Sequence, residues 1–129
     1  MTIPLKELPR SDEVEGAPHP KETSKIFGQQ DASDQFLDAF NSGRLHHAWM
    51  ITGARGIGKA TLTWQIAKFL LATPDPIDSR TLFGATEPAS SLTIDTDHPI
   101  ARRIRAGSEP GIMVVRRAYD EKRKKFKQM

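Results

Sequence analysis

The sequence of 129 residues contains no cysteine and no long apolar run. Without cysteine the chain can form neither a disulfide nor a thiolate metal site. No apolar run reaches the length of about 18 residues that a membrane span needs. The N-terminus also lacks the basic region and apolar core of a secretory signal. We therefore expect a cytoplasmic protein that has no membrane partner.

Apolar residues make up only 37% of the chain, and the mean hydropathy is −0.50, which indicates that part of the chain is not packed. Residues 1–22 carry four prolines and an acidic cluster and are predicted to be an unstructured arm. Residues 73–97 hold three more prolines among Ser, Thr and Asp, as is typical of a loop insertion. Residues 23–116 should contain one domain that this insertion interrupts.

Positive charge is concentrated near the end of the chain. Residues 99–129 hold 10 of the 19 Lys and Arg residues but only 3 of the 16 Asp and Glu residues. The basic tail, residues 117–129, could meet nucleic acid or an acidic partner, or could simply be a solvated end. Only Tyr119 and Phe126 in this tail could stack on bases.

The chain is organised around residues 48–62. An apolar run leads into a glycine-rich turn, and an apolar-periodic helix follows. Gly53, Gly58 and Lys59 fit the pattern G-x-x-x-x-G-K-[ST] of a phosphate-binding loop up to its last position. In such a loop backbone N–H groups surround a phosphate, and the helix N-terminus and the lysine add positive charge. The predicted nucleotide-binding residues are Gly53, Ala54, Arg55, Gly56, Ile57, Gly58, Lys59, Ala60 and Thr61.

The last position of the pattern should be Ser or Thr, whose hydroxyl holds Mg²⁺. Here it is Ala60, which has no side-chain oxygen. Thr61 lies about 100° further round the helix and should not point at the same place. We therefore predict weak ATP binding with little dependence on Mg²⁺.

The apolar spacing predicts helices over residues 30–42, 59–72 and 99–106. Continuous apolar runs predict buried strands near residues 48–52 and 112–115. A strand, a glycine loop and a helix in this order predict an α/β fold. It would be the parallel sheet of a P-loop NTPase, flanked by helices and incomplete in this chain. The predicted core face of the second helix is Leu62, Ile66, Phe69 and Leu70.

Catalysis by this chain alone is not expected. A phosphate-loop ATPase needs an apolar strand ending in an acidic residue, which holds Mg²⁺ and prepares water. The run ending at Asp95 is short, and the run ending at Val115 is followed by Arg116. No arginine finger is obvious either, although Arg102, Arg103 and Arg105 stay open as candidates. Adjacent His46 and His47 would face opposite ways on a strand and make a poor metal pair.

Residues 26–29, 42–53 and 67–72, together with the loop, resemble the delta-prime subunit of the bacterial DNA polymerase III clamp loader. Residues 98–110 also resemble that family, though more loosely. The resemblance covers roughly residues 18–121 and implies an AAA+ fold. It also implies that Ile26 and Phe27 would contact adenine. Delta-prime commonly acts as the stator of the assembly, a role that the missing metal hydroxyl at Ala60 suits.

The resemblance implies partners as well. In this family the subunit joins the delta and gamma/tau subunits, and the assembly loads the sliding clamp on primed DNA as part of a nucleotidyltransferase holoenzyme. The family is several times longer, and its second acidic site, lid and collar should all follow residue 129. Some members carry a four-cysteine zinc module where residues 73–97 stand here, so zinc is not expected.

Two other functions remain open from the residues. The chain could be a small P-loop ATPase or kinase with an altered metal position, although both Mg²⁺ hooks are lacking. It could also be a nucleic-acid-binding fragment that acts through the basic tail.

Overall fold

A computed structural model describes residues 8–76 and 87–128 of the chain. Residues Pro20–Ile112 form one compact unit, and the described residues on either side of them form a second. The larger unit therefore begins and ends a few residues earlier than residues 23–116, the predicted domain. Within the described ranges, no helix combines the length and apolar character that crossing a membrane requires.

In residues 20–76 and 87–112, the described part of the larger unit, the chain forms three α-helices and a short 3-10 turn, Pro20–Glu22. The helices are α1 (Gln30–Asn41), α2 (Lys59–Ala72) and α3 (Pro99–Ala106), which confirms the three predicted helices. Local signals set their ends. Gly43 has a φ of +71° just after α1 and Gly107 one of +73° just after α3, a conformation that glycine adopts without strain. Pro99 starts α3, and His98 Nδ1 accepts the N–H of Ile100.

The core lies between α1 and α2. Ring centroids of Phe40 and Phe69 are 4.8 Å apart, and those of Phe36 and Phe69 are 6.3 Å apart, both edge to face. Such pairs add to the free energy gained by burying apolar area. The prediction for Leu70 is wrong, because it is 39% exposed. The buried core cluster consists of Phe36, Leu37, Phe40, Leu62, Phe69 and Leu92.

The predicted loop insertion contributes to this core. Residues 87–97, the longer of its two described parts, contain no helix or strand, yet Leu92 is only 3% exposed. The side-chain amide of Asn41 donates to the carbonyl of Ala89 over 2.8 Å and accepts the Ala89 N–H over 2.9 Å. This pair of bonds ties the segment to the end of α1. Residues 77–86 of the insertion lie outside the described residues.

The two predicted parallel strands are not formed in the described part of the chain. Residues 48–52 and 112–115 are irregular and belong to no sheet. Ile51 packs against the core cluster, whereas Met50 is 85% and Met113 is 89% exposed. A strand exists only when a neighbour satisfies its backbone groups, and no described segment does so here. The P-loop sheet therefore stays a prediction.

The smaller unit contains an antiparallel hairpin that the sequence did not predict. Strands β1 (Tyr119–Asp120) and β2 (Lys125–Phe126) pair Tyr119 with Phe126, whose rings lie 5.3 Å apart. In the same unit, Asp12 accepts hydrogen bonds from His19 and Arg116. Burial alone would raise the pKa of Asp12, but these bonds outweigh it and hold the pKa below its usual value.

Candidate phosphate-binding loop

Glycine shapes the loop between residues 53 and 58. Gly53, Gly56 and Gly58 have φ angles of +149°, +81° and +97°, in the range that side chains disfavour. At Gly53 the space is closed as well, because an added Cβ would lie 2.6 Å from Ile57 Cδ1. The predicted spacing therefore places glycine where the backbone requires it.

Lys59 folds back across the loop. Its ammonium donates to the carbonyl oxygen of Gly53 over 2.8 Å and to that of Ala54 over 2.6 Å. The side chain is therefore held at the start of the loop. A lysine ammonium at this place can exchange its carbonyl partners for the oxygens of an anion.

The N-terminus of α2 adds a second positive element. The helix begins at Lys59 after Gly58, with no side-chain cap and no acidic residue in its first turn. The first N–H groups of a helix have no intrahelical acceptor, and the macrodipole adds partial positive charge there. The loop and the helix start thus bring together groups that suit an anionic ligand.

The position that should hold a metal has no oxygen. Ala60 is exposed and Thr61 is half-buried. The hydroxyl of Thr63 donates to the carbonyl of Lys59 within the helix. Of the other predicted loop residues, Ala54 and Arg55 are exposed and Ile57 is 41% exposed.

Gln29 is a loop contact that was not predicted. Its side-chain amide donates to the carbonyl of Ile57 over 2.9 Å, which joins the segment before α1 to the loop. Apolar periodicity cannot reveal such a residue. The only signal was its place in the 26–29 stretch that carries the family resemblance.

Ile26 and Phe27, the predicted adenine contacts, line a cavity of about 640 Å³. This volume is in the usual range for small-molecule sites. Ile26 packs against the core, Phe27 is 84% exposed, and Asp95 lines the same cavity. Among the described residues the 53–60 loop does not line this cavity, and Gln29 is the residue that touches both.

The two acidic-strand candidates do not form a metal site. Asp95 Oδ1 accepts the N–H of Asp97 in the turn before α3, and the residue after Val115 is the cation Arg116. His46 and His47 are exposed. Across residues 8–76 and 87–128, no group of three or more His, Asp or Glu side chains could hold a metal ion.

The loop and the start of α2 therefore define a candidate anion site. Comparison with known proteins shows that part of this chain is similar to a subunit of DNA polymerase III. Over 51 residues the chain is 41% identical to DNA polymerase III subunit gamma of Buchnera aphidicola subsp. Schizaphis graminum. This match covers 40% of the chain and 14% of the relative. Subunit gamma of Buchnera aphidicola subsp. Acyrthosiphon pisum is 42% identical over 45 residues, covering 35% of the chain and 12% of the relative.

The subunit gamma of Buchnera aphidicola subsp. Baizongia pistaciae is 37% identical over 51 residues, with the same coverage as the first relative. No family model matches the chain, and no solved structure gives a significant match. Part of the chain is thus similar to a subunit of DNA polymerase III, as predicted. All three relatives are gamma subunits, so the delta-prime assignment stays a prediction.

Proposed function

We propose that this chain is the N-terminal part of a clamp-loader subunit of DNA polymerase III, of the stator-like delta-prime kind. It would take part in loading the sliding clamp during DNA replication. The similarity to subunit gamma supports the relation to DNA polymerase III. The delta-prime assignment rests on the residues of the loop and on the resemblance of residues 18–121.

The observation that carries the proposal is the pairing of an ordered cation with a missing hydroxyl. Lys59 is held on the carbonyls of Gly53 and Ala54, while Ala60 follows it at the metal position. Such a loop can bind the phosphates of ATP but cannot complete a Mg²⁺ site through this helix. A subunit that binds without hydrolysing fits a structural member of an ATPase assembly.

The partners follow from the same proposal. The chain would contact the delta and gamma/tau subunits directly, and the sliding clamp and primed DNA through the assembly. Its place would be the cytoplasm. Ile26 and Phe27 would contact adenine, since they line a cavity of suitable volume.

Binding to purified delta and gamma/tau from the same organism tests the proposal. The chain, labelled with a fluorophore, should bind them, and unlabelled full-length delta-prime should displace it. Displacement by full-length gamma but not by delta-prime would overturn the delta-prime assignment and leave the clamp-loader role intact. Binding to neither subunit would overturn both.

A second candidate function, nucleic-acid binding, is favoured by the hairpin in the basic tail. Lys122, Arg123, Lys124, Lys125 and Lys127 are all exposed there. The guanidinium of Arg117 lies 5.4 Å from the ring centroid of Phe126, so an aromatic ring sits among the cations. Cations around an aromatic ring suit a nucleic-acid backbone.

A further inference from the structure

Gln29 stands at the start of α1, but its side chain does not serve that helix. It is the N-cap residue of α1 and makes no side-chain capping bond there, and glutamine is not among the residues that N-caps favour. Its side-chain amide instead donates to the carbonyl of Ile57, 28 positions along the chain, over 2.9 Å. The side chain therefore acts on the loop rather than on its own helix.

The bond from Gln29 fixes the direction of one peptide group of the loop. The peptide between Ile57 and Gly58 is trans, and in a planar trans peptide the C=O and the N–H point in opposite directions. Because the Ile57 carbonyl is turned towards Gln29, the N–H of Gly58 points away from it. Gly58 is the N-cap residue of α2, where no side chain caps the helix. Its N–H therefore belongs to the donors that a helix start leaves without an intrahelical acceptor.

Two side chains hold the loop, one at each end. The Lys59 ammonium bonds to carbonyls at the start of the loop, and the Gln29 amide bonds to Ile57 near its end. An incoming anion competes for the ammonium, because both the carbonyls and the anion accept from it. The anion does not compete in this way for Gln29, whose neutral amide lies on the carbonyl side of the Ile57–Gly58 peptide. The Gln29 bond can therefore persist when the loop is occupied.

We propose that Gln29 is a positioning residue of the phosphate loop, which holds the peptide between Ile57 and Gly58 so that the Gly58 N–H donates to a bound polyphosphate. Gln29 itself would not touch the phosphates. This inference rests on the proposed function, because it requires that the 53–59 loop binds the phosphates of ATP. Gln29 also lines the cavity of about 640 Å³ assigned to adenine. Tripolyphosphate, which has no base, is therefore the probe that isolates the effect on the loop.

Titration calorimetry with tripolyphosphate on the full chain compares Gln29→Met with the unmodified protein. Methionine has nearly the same length as glutamine and no N–H donor. The affinity should fall about two- to tenfold, the range expected for one lost hydrogen bond between neutral groups. Gln30→Met is the matched control, because the Gln30 amide donates to Asp34 over 2.7 Å within α1 and not to the loop. Gln30 lines the same cavity, and its variant should bind tripolyphosphate as the unmodified chain does.

The ¹H–¹⁵N NMR resonance of the Gly58 amide distinguishes positioning from a merely structural role. It is recorded at a temperature where thermal unfolding shows each chain to be folded. At saturating tripolyphosphate the resonance should move downfield in the unmodified chain and in Gln30→Met, and should move less in Gln29→Met.

Equal affinities of Gln29→Met and Gln30→Met, or an equal movement of the Gly58 resonance in both, would overturn the role of Gln29 and leave phosphate binding intact. Absence of tripolyphosphate binding by the unmodified chain would instead overturn the phosphate-binding loop of the proposed function, and the role of Gln29 with it.

Discussion

The Lys59 ammonium lies 2.6 Å from the carbonyl oxygen of Ala54. The lysine is therefore ordered at the loop, and an incoming phosphate has to replace this bond. We predict that the chain binds ATP weakly, with nearly the same Kd with and without Mg²⁺, and does not hydrolyse it. Lys59→Ala should weaken binding about tenfold or more, because a hydrogen bond to a charged group contributes about 1.5–3 kcal/mol.

Titration calorimetry with and without Mg²⁺ measures these affinities, and release of inorganic phosphate measures turnover. Arg44→Ala is the matched control, since it removes an exposed cation that lies outside the loop. Sustained hydrolysis by the purified chain would contradict the prediction and would favour a small ATPase or kinase instead.

The core between α1 and α2 gives a prediction about stability. Phe69→Ala removes a ring that is 2% exposed and contacts two other rings. It should lower the free energy of unfolding by about 3–5 kcal/mol, through lost burial and the cavity left behind. Leu70→Ala, the next position on the same helix, should lower it by less than about 1 kcal/mol, because Leu70 is already 39% exposed. Chemical denaturation followed by circular dichroism compares the two variants. Equal losses of unfolding free energy would contradict the finding that α2 buries Phe69 and exposes Leu70.

The helices could be predicted because their signals are local. Pro99 and Gly107 define the ends of α3, and Gly43 stops α1, whatever the rest of the chain does. The strands could not be predicted in this way, because an apolar run such as residues 112–115 becomes a strand only if a distant segment pairs with it.

The candidate site divides in the same way. The glycines and Lys59 were predicted from spacing alone, and the φ angles and the lysine contacts describe a glycine-rich loop there. That this loop binds a nucleotide stays a prediction. The contact of Gln29 with Ile57 spans 28 positions, so no local pattern could reveal it. Burial of Lys68 was missed because α2 contacts both α3 and the 3-10 turn, and the periodicity was read for one core face only.

The basic tail predicts salt-dependent binding to single-stranded nucleic acid. Each cation that contacts a phosphate contributes about 0.7 to the slope of log K against log salt for single strands. Lys122→Gln combined with Lys127→Gln should therefore reduce the slope by up to about 1.4. Fluorescence anisotropy with a labelled oligonucleotide at several salt concentrations measures this. The control pairs Lys25→Gln with Arg44→Gln, two exposed cations of the larger unit, and an equal reduction in that control would indicate non-specific attraction.

Burial of Lys68 predicts how stability depends on pH. The pKa of Lys68 is lowered from 10.5, first by burial and then by the Arg105 charge. Between the folded pKa and 10.5 the unfolded chain binds more protons, so the free energy of unfolding should rise with pH in this window. Below the folded pKa the penalty is present in full.

The measurement is the unfolding free energy of the unmodified chain minus that of Lys68→Met, from neutral pH towards 10.5. Subtraction removes the contribution of the remaining lysines. Glu22 and Arg105, which line the same small pocket as Lys68, are unchanged in both proteins. The difference should move in favour of the unmodified chain as the pH rises, and a difference independent of pH would show that Lys68 is solvated in both states.

Ala60 gives the most direct test of the loop. Ala60→Ser places a hydroxyl at the metal position, and serine is only slightly worse than alanine in a helix, so folding should tolerate the change. ATP affinity should then rise in Mg²⁺ but not in its absence, because the new oxygen replaces one water on the ion. Hydrolysis should stay absent, since neither Asp95 nor Arg116 supplies the second acidic site.

Lys59→Ala in the same background should remove the gain, because the lysine charge acts on the same phosphates. Ala72→Ser is the matched control, as it adds the same hydroxyl at the far end of the same helix. If calorimetry shows the same Kd for Ala60→Ser and the unmodified chain in both buffers, the loop does not bind nucleotide through a metal. The delta-prime proposal would then rest on the family resemblance of residues 18–121 alone.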